Sequence, residues 1–260
     1  VIFIVSDLHL GKRPETDTRS LQELEACIAA SEARTVVFLG DVFDAFIESS
    51  HRPPESFNTW ANLARRLINS GLTLHYVMGN HDRWHRHLVA DIIGAPPTRG
   101  TKLLDWNGQT VHLEHGDNGQ PHRLATRFAR WFSDQKWVHS CFTLLLPFGG
   151  AQSVAAGVSR HFASFDPNPA TVDALRQYAA KTIQSEDSVG IVMGHCHQPG
   201  LFDLTNDLAR KAWYANSGDW FGSRSFVLLA DTAQGDIPAS VRLCVWKDGD
   251  VCEEATLGAI

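Results

Sequence analysis

Short apolar runs rich in β-branched residues alternate with amphipathic stretches through the first third of the chain: Val1–Val5, Leu21–Ala30, Thr35–Leu39, Thr59–Ile68 and Leu72–Met78. Strand-length runs separated by stretches of helical period give the β-α-β rhythm of a largely parallel sheet covered on both faces. Further on, Lys102–Asp105 and Thr110–Glu114 flank Trp106-Asn107-Gly108-Gln109, whose Asn-Gly pair suits a type I′ hairpin turn. A helical segment spans Pro121 to Phe165, another helix is entered at Asn168-Pro169 and runs to Ile183, and a strand follows at Ser188–Met193. The segments Lys211–Asn216, Ser225–Asp231, Val241–Trp246 and Val251–Glu254 read as an antiparallel second sheet, with Asp248-Gly249 turning its last hairpin. Two facing sheets with helices outside predict an α/β fold of four layers, α/β/β/α.

Composition narrows the picture. The 260 residues, 43% hydrophobic and 20% charged, are enough for one well-cored domain over 1–260, with residues 119–166 as a helical insert within it. A net charge of −6 argues against a general nucleic-acid binder, which needs clustered Lys and Arg to replace phosphate counterions. The apolar run Leu144–Leu146 in the insert is far shorter than the roughly 20 residues that span a bilayer. Five scattered cysteines with no C-x-x-C spacing speak against a disulfide framework and favour a reducing cytoplasm. The chain opens at Val1 inside a strand-like run, which leaves room for a removed leader.

Five short motifs fall where strands are expected to end: Ser6-Asp7-Leu8-His9, Gly40-Asp41-Val42-Phe43-Asp44, Gly79-Asn80-His81-Asp82, Glu114-His115-Gly116-Asp117 and Gly194-His195-Cys196-His197. In open α/β sheets the loops at the carboxyl ends of strands carry the ligands. Strand alternation would turn Asp7 and His9, or His195 and His197, to one side and Leu8 and Cys196 to the other. Glycines at 40, 79, 116 and 194 let the backbone approach a compact cluster. The oxygen and imidazole donors, without thiolate, suit Mn²⁺, Fe or Zn²⁺ better than Ca²⁺ or a structural zinc site. Any one motif alone is ordinary loop chemistry; five in register converge for a reason. The remaining histidines, His51, His75, His85, His87, His112, His122, His139 and His161, read as surface or core residues.

In this order the five motifs resemble those of the calcineurin-like metallophosphoesterase superfamily, over Asp7 to His197. The resemblance implies two divalent metal ions, Mn²⁺ first and Zn²⁺ or Fe as alternatives. Asp7, His9, Asp41 and His197 would hold one, and Asp41, Asn80, His115 and His195 the other, with Asp41 bridging. Two such cations can share a hydroxide near neutral pH, align it with phosphorus and neutralise the non-bridging oxygens. By the same resemblance His81 acts on the leaving oxygen or the phosphoryl group, and the Asp44 carboxylate orients it.

The insert carries an apolar helical face, Leu124, Phe128, Trp131 and Phe132, beside a basic stripe of Arg123, Arg127 and Arg130. Such a surface suits a phosphorylated lipid, although helices merely packed on one another would look the same. Motif order and insert together are similar to the UDP-2,3-diacylglucosamine pyrophosphohydrolases of Gram-negative lipid A synthesis. That likeness implies release of UMP and 2,3-diacylglucosamine 1-phosphate, substrate contacts from Asn80, His81, Arg123, Arg127, Phe128 and Trp131, and peripheral contact with the anionic cytoplasmic face of the inner membrane. Many such enzymes carry Arg where this chain has His81, which keeps open a soluble nucleotide, nucleotide-sugar or phosphoprotein substrate. A non-enzymatic scaffold would be free to lose ligands, and none is missing.

Overall fold

The computed structural model describes residues 1–46, 48, 53, 55–85, 87–119, 169–231 and 239–258. In chain order the elements are β1 (Ile2–Val5), α1 (Pro14–Ala30), β2 (Thr35–Leu39), α2 (Glu55–Asn69), β3 (Thr73–Val77), α3 (Leu88–Ile93), β4 (Lys102–Trp106) and β5 (Gln109–Leu113). There follow α4 (Pro169–Ser185), β6 (Gly190–Met193), β7 (Gly200–Asp203), α5 (Thr205–Leu208), β8 (Trp213–Asn216), β9 (Ser225–Ala230), β10 (Ser240–Lys247) and β11 (Asp250–Gly258). The insert expected at 119–166, and with it Arg123, Arg127, Phe128 and Trp131, lies outside the described residues apart from Gly119.

Two sheets form, in the orders β11-β10-β9-β1-β2-β3 and β4-β5-β6-β8-β7. The expected all-antiparallel second sheet from the chain's last third is corrected here. β9 pairs antiparallel with β1 (Ile2 opposite Leu229), drawing β10 and β11 into the first sheet. β8 instead pairs parallel with β6 (Gly190 opposite Trp213) in the second sheet. The reason lies in β9 itself: all six residues are buried, so it needs a neighbour on each edge and cover on each face. β7 is short and only partly buried, and no periodicity announces it.

Alternation along the strands builds the layers. Phe3 and Val5 pack with Leu21, Leu24, Phe38 and Trp60 beneath α1 and α2. Ile2 and Ile4 point the other way and meet Val111, Leu113, Val192 and Trp213 between the sheets. Leu175, Ala179 and Ile183 of α4 cover Ile191, Met193 and Tyr214 on the far face. The four layers are therefore those expected. Both hairpin turns adopt the positive φ pair of type I′: Asn107 at 53° with Gly108 at 76°, and Asp248 at 54° with Gly249 at 88°. Among the described residues no helix is long and apolar enough to cross a membrane, and Cys27, Cys196, Cys244 and Cys252 are free thiols.

Because β1, β2 and β3 run parallel, as do β5, β6 and β8, the carboxyl ends of both groups gather at one rim. The five motifs leave from that rim.

Candidate metal centre

Each expected ligand sits just beyond a strand: Asp7 and His9 after β1, Asp41 after β2, Asn80 after β3, His115 after β5, and His195 and His197 after β6. Strand alternation therefore does not aim them. Asp7, His9, Asp41, His195 and His197 have φ of 53°, 47°, 51°, 70° and 54°, a left-handed conformation uncommon outside glycine, though Asn, Asp and His take it more often than other residues. The outcome for the intervening residues is nevertheless the expected one, since Leu8 and Cys196 are turned into the cores at 2% and 7% exposure. Two glycines let the loops close. A side chain at Gly79 would overlap the Asp41 carboxylate, and one at Gly194 would overlap Ser6 and Asp7.

The seven residues converge. Asp7, His9 and His197 bring ligand atoms within 4.8 Å of one another, as do Asp41, His115 and His195, and as do His9, Asp41 and His81. Asp41 thus belongs to two of the three groups. His9 Nε2 faces His197 Nε2 at 3.2 Å, and Asp7 Oδ1 lies 3.1 Å from His197 Nε2 and 3.6 Å from His9 Nε2. His115 Nε2 lies 3.1 Å from Asp41 Oδ2 and 3.2 Å from Asn80 Oδ1.

These residues fit a divalent cation. Two donors at about 2.0–2.2 Å from one ion stand roughly 3 Å apart, the spacing seen. Asp7 Oδ1 is buried without a hydrogen bond, whereas Oδ2 accepts from Ser6 Oγ at 2.5 Å and from the His195 N–H at 2.9 Å. One oxygen is thus anchored and the other is left facing two imidazoles. His115 Nδ1 meets the Leu39 carbonyl at 3.0 Å. Donating there leaves Nε2 as the lone-pair nitrogen. His9 Nδ1 faces Asp44 Oδ1 at 3.5 Å and His197 Nδ1 faces Asp219 Oδ2 at 3.8 Å, so each imidazole has a carboxylate behind it.

Electrostatics without a cation show strong mutual polarisation. Burial opposes charge on Asp7 and Asp41, but is outweighed for Asp7 by His197 and His115 and for Asp41 by His115 and His81, which hold both carboxyls below the usual range. Burial likewise opposes charge on His9, yet Asp44 and Asp7 raise it to about 10. His195, buried and beside His115, is pushed down to about 4. Without an ion the Asp7 and Asp41 carboxylates are balanced by protons on His9 and His115, and a dication would take the place of those protons.

Asp44 meets both His81 and His9. The His81 ring is held through Nδ1 by the Asp44 main-chain carbonyl at 2.7 Å, and the Asp44 carboxylate backs His9. Sequence reasoning gave no role to Asp82, Ser6 or Asp219, although Ser6 and Asp82 fall inside the quoted motifs. Asp82 is fully buried and accepts from Gly79 N–H, Val42 N–H and Tyr76 OH at 2.6, 2.9 and 2.6 Å. It joins the loops that carry Asn80 and Asp41.

A four-layer sandwich with Asp and His groups clustered at its strand ends defines a metal-dependent phosphoester hydrolase. The family model for calcineurin-like phosphoesterases matches residues 1–231, and the chain belongs to that family. It is 29% identical over 119 residues to the UDP-2,3-diacylglucosamine hydrolase of Porphyromonas gingivalis, covering 45% of each chain. It is 27% identical over 243 residues to the enzyme of the same name from Aeromonas salmonicida, covering 89% of this chain and 91% of that one. Vacuolar protein sorting 29 of Cryptosporidium parvum shares the fold, with a TM-score of 0.52 at 13% identity over 99% of this chain and 97% of that one.

Proposed function

We propose that the chain hydrolyses the pyrophosphate of UDP-2,3-diacylglucosamine to UMP and 2,3-diacylglucosamine 1-phosphate. The observation that carries this reading is the meeting of two Asp/His groups at Asp41 in a chain similar over most of its length to enzymes named for that substrate. Asp7, His9, Asp41 and His197 would hold one divalent cation, and Asp41, Asn80, His115 and His195 a second, Mn²⁺ before Zn²⁺ or Fe. Such ions acidify water and neutralise charge on phosphoryl oxygens.

The chain's own residues supply the rest. His81 Nε2 stands 3.8 Å from Asp41 Oδ2, at the edge of the clusters, with its other nitrogen tied to the Asp44 carbonyl. From there it hydrogen-bonds the phosphoryl group or protonates the leaving oxygen. Asn80 and His81 contact the phosphate, while Arg123, Arg127, Phe128 and Trp131 of the insert take the charged and acylated parts of the substrate. The enzyme works at the cytoplasmic face of the inner membrane of a Gram-negative cell, peripherally.

A second reading keeps the metals and assigns a soluble nucleotide, nucleotide sugar or phosphoprotein, with His81 standing where many pyrophosphohydrolases carry Arg. One experiment separates them: Mn²⁺-loaded protein is incubated with acylated and deacylated UDP-glucosamine substrates and UMP is measured. Release of UMP and the lipid product from the acylated form supports the proposal; equal turnover of both supports the second reading; no UMP from either overturns the proposal.

A further inference from the structure

Three side chains beside the centre take no part in the roles above. Lys12 and Arg13 lie in the loop between β1 and α1, and Phe221 in the loop between β8 and β9. Main-chain bonds tie both loops to the centre: the Lys12 N–H donates to the His9 carbonyl at 3.1 Å, and the Phe221 N–H to the Asp7 carbonyl at 3.2 Å. The Phe221 ring meets the His9 ring edge-on, with centroids 6.2 Å apart at 84°. Lys12 Nζ and the Arg13 guanidinium carbon each lie 4.8 Å from the centroid of that same Phe221 ring.

This grouping needs a counter-charge. Lys12 and Arg13 are both exposed, and the Asp44 carboxylate that Lys12 acts on is shared with His9, so it meets only part of their charge. Two like charges gathered on one ring repel, and the ring's quadrupole offsets only part of that. Arg83 is, by contrast, already engaged with Asp117. An anion shared by the guanidinium fork and the ammonium would stabilise the pair, and the rigid ring would hold both heads in place to receive it.

We propose that Lys12, Arg13 and Phe221 form an edge subsite for the phosphoryl group that is not attacked, in a substrate whose two phosphates are joined as a diphosphate. The inference rests on the pyrophosphate reading above. It assigns the attacked phosphate to the metal centre and the neighbouring phosphate to this edge.

The test uses the full chain loaded with Mn²⁺, and compares α,β-methylene-UDP with UMP by titration calorimetry. In Lys12→Gln/Arg13→Gln the affinity for α,β-methylene-UDP should fall about tenfold more than that for UMP, the loss of charge-assisted bonds to the second phosphate alone. Phe221→Leu should give a smaller loss in the same direction. Equal weakening of both nucleotides, or of neither, overturns the proposal. In kinetics the ratio of kcat/KM on UDP-2,3-diacylglucosamine to that on bis(p-nitrophenyl) phosphate should fall about tenfold, and parallel losses overturn it. If the wild-type chain leaves the lipid substrate intact, the substrate reading fails while the calorimetric contrast still decides the subsite.

Discussion

Asp82 touches no proposed ligand side chain, yet truncating it should loosen the centre. Its carboxylate accepts from the Gly79 N–H, the Val42 N–H and the Tyr76 hydroxyl, in surroundings where Val42 is 0% and Tyr76 2% exposed. In Asp82→Ala all three donors lose their acceptor. A buried donor left unsatisfied costs about 1–3 kcal/mol, and water entering the vacated space keeps the sum near the low end, about 3 kcal/mol. For a chain of this size that is a fall in Tm of roughly 6–12 °C. Burial, then the charge of Asp41, raises the Asp82 pKa. Asp82→Asn, which removes the charge and keeps an acceptor, should therefore lose only part of that. Since the freed backbone flanks Asn80 and Asp41, Mn²⁺ affinity should also fall about 10–100-fold in the alanine variant, the range for groups that orient metal ligands. Thermal melts of metal-free protein and titration calorimetry with Mn²⁺ read the two effects. An alanine variant that melts within 2 °C of the wild type and binds Mn²⁺ equally well, with "2 °C" being about the loss from under 1 kcal/mol, would refute the reasoning.

Asp41→Ala should abolish phosphodiester hydrolysis, with losses above about 100-fold in kcat/KM, while far-UV circular dichroism stays that of the wild type. Asp219→Asn should weaken Mn²⁺ binding about tenfold through its contact with His197, read by calorimetry; unchanged affinity would remove Asp219 from the support of the centre. Stripping the metal with a chelator should lower Tm, because an ion held at 100 times its Kd contributes about 2.7 kcal/mol to the folded state. His112 is 3% exposed with neither ring nitrogen hydrogen-bonded, and burial lowers its pKa. The unfolded chain then binds that proton more readily, so stability is lost as pH falls below about 6.5. His112→Leu should melt progressively higher relative to the wild type between pH 7 and pH 5, and a pH-independent difference would exclude the titration.

How much of this could be read from the chain depended on what each signal encodes. The parallel strands β1 to β3 and both type I′ hairpins were legible because period and turn chemistry are local. The partner of β9 was not, since Ser225–Ala230 is buried on both faces and such a run says nothing about which sheet receives it. The seven convergent residues were legible from their chemistry in sequence order. Asp82 was visible as a letter in a motif and Asp219 was given no role, and their work of binding backbone and imidazole becomes evident only when Gly79, Val42 and His197 stand beside them. The Asp44 carboxylate was assigned to His81 by likeness; it lies against His9 and also acts on His81, whose ring the Asp44 carbonyl holds.

The D-x-H and H-x-H spacings acquire a different physical meaning from the one a strand would give them. Asp7 and His9, and likewise His195 and His197, are left-handed at both ends of the triplet, a conformation costing about 1–2 kcal/mol per L residue. What holds them there is the residue between. Leu8 is packed under α1 and α2, and Cys196 is packed under α4. Burying a leucine contributes about 1.5–3 kcal/mol, comparable to the strain of the two positions it separates. Hydrogen bonds from Asp7 N–H to the Gly40 carbonyl and from His9 N–H to the Asp41 carbonyl, both 3.0 Å, then lock one loop to the next. The donor geometry is thus imposed by the two outer cores acting through Leu8 and Cys196, so the same packing that stabilises each sheet keeps the imidazoles and carboxylates converged before any cation arrives.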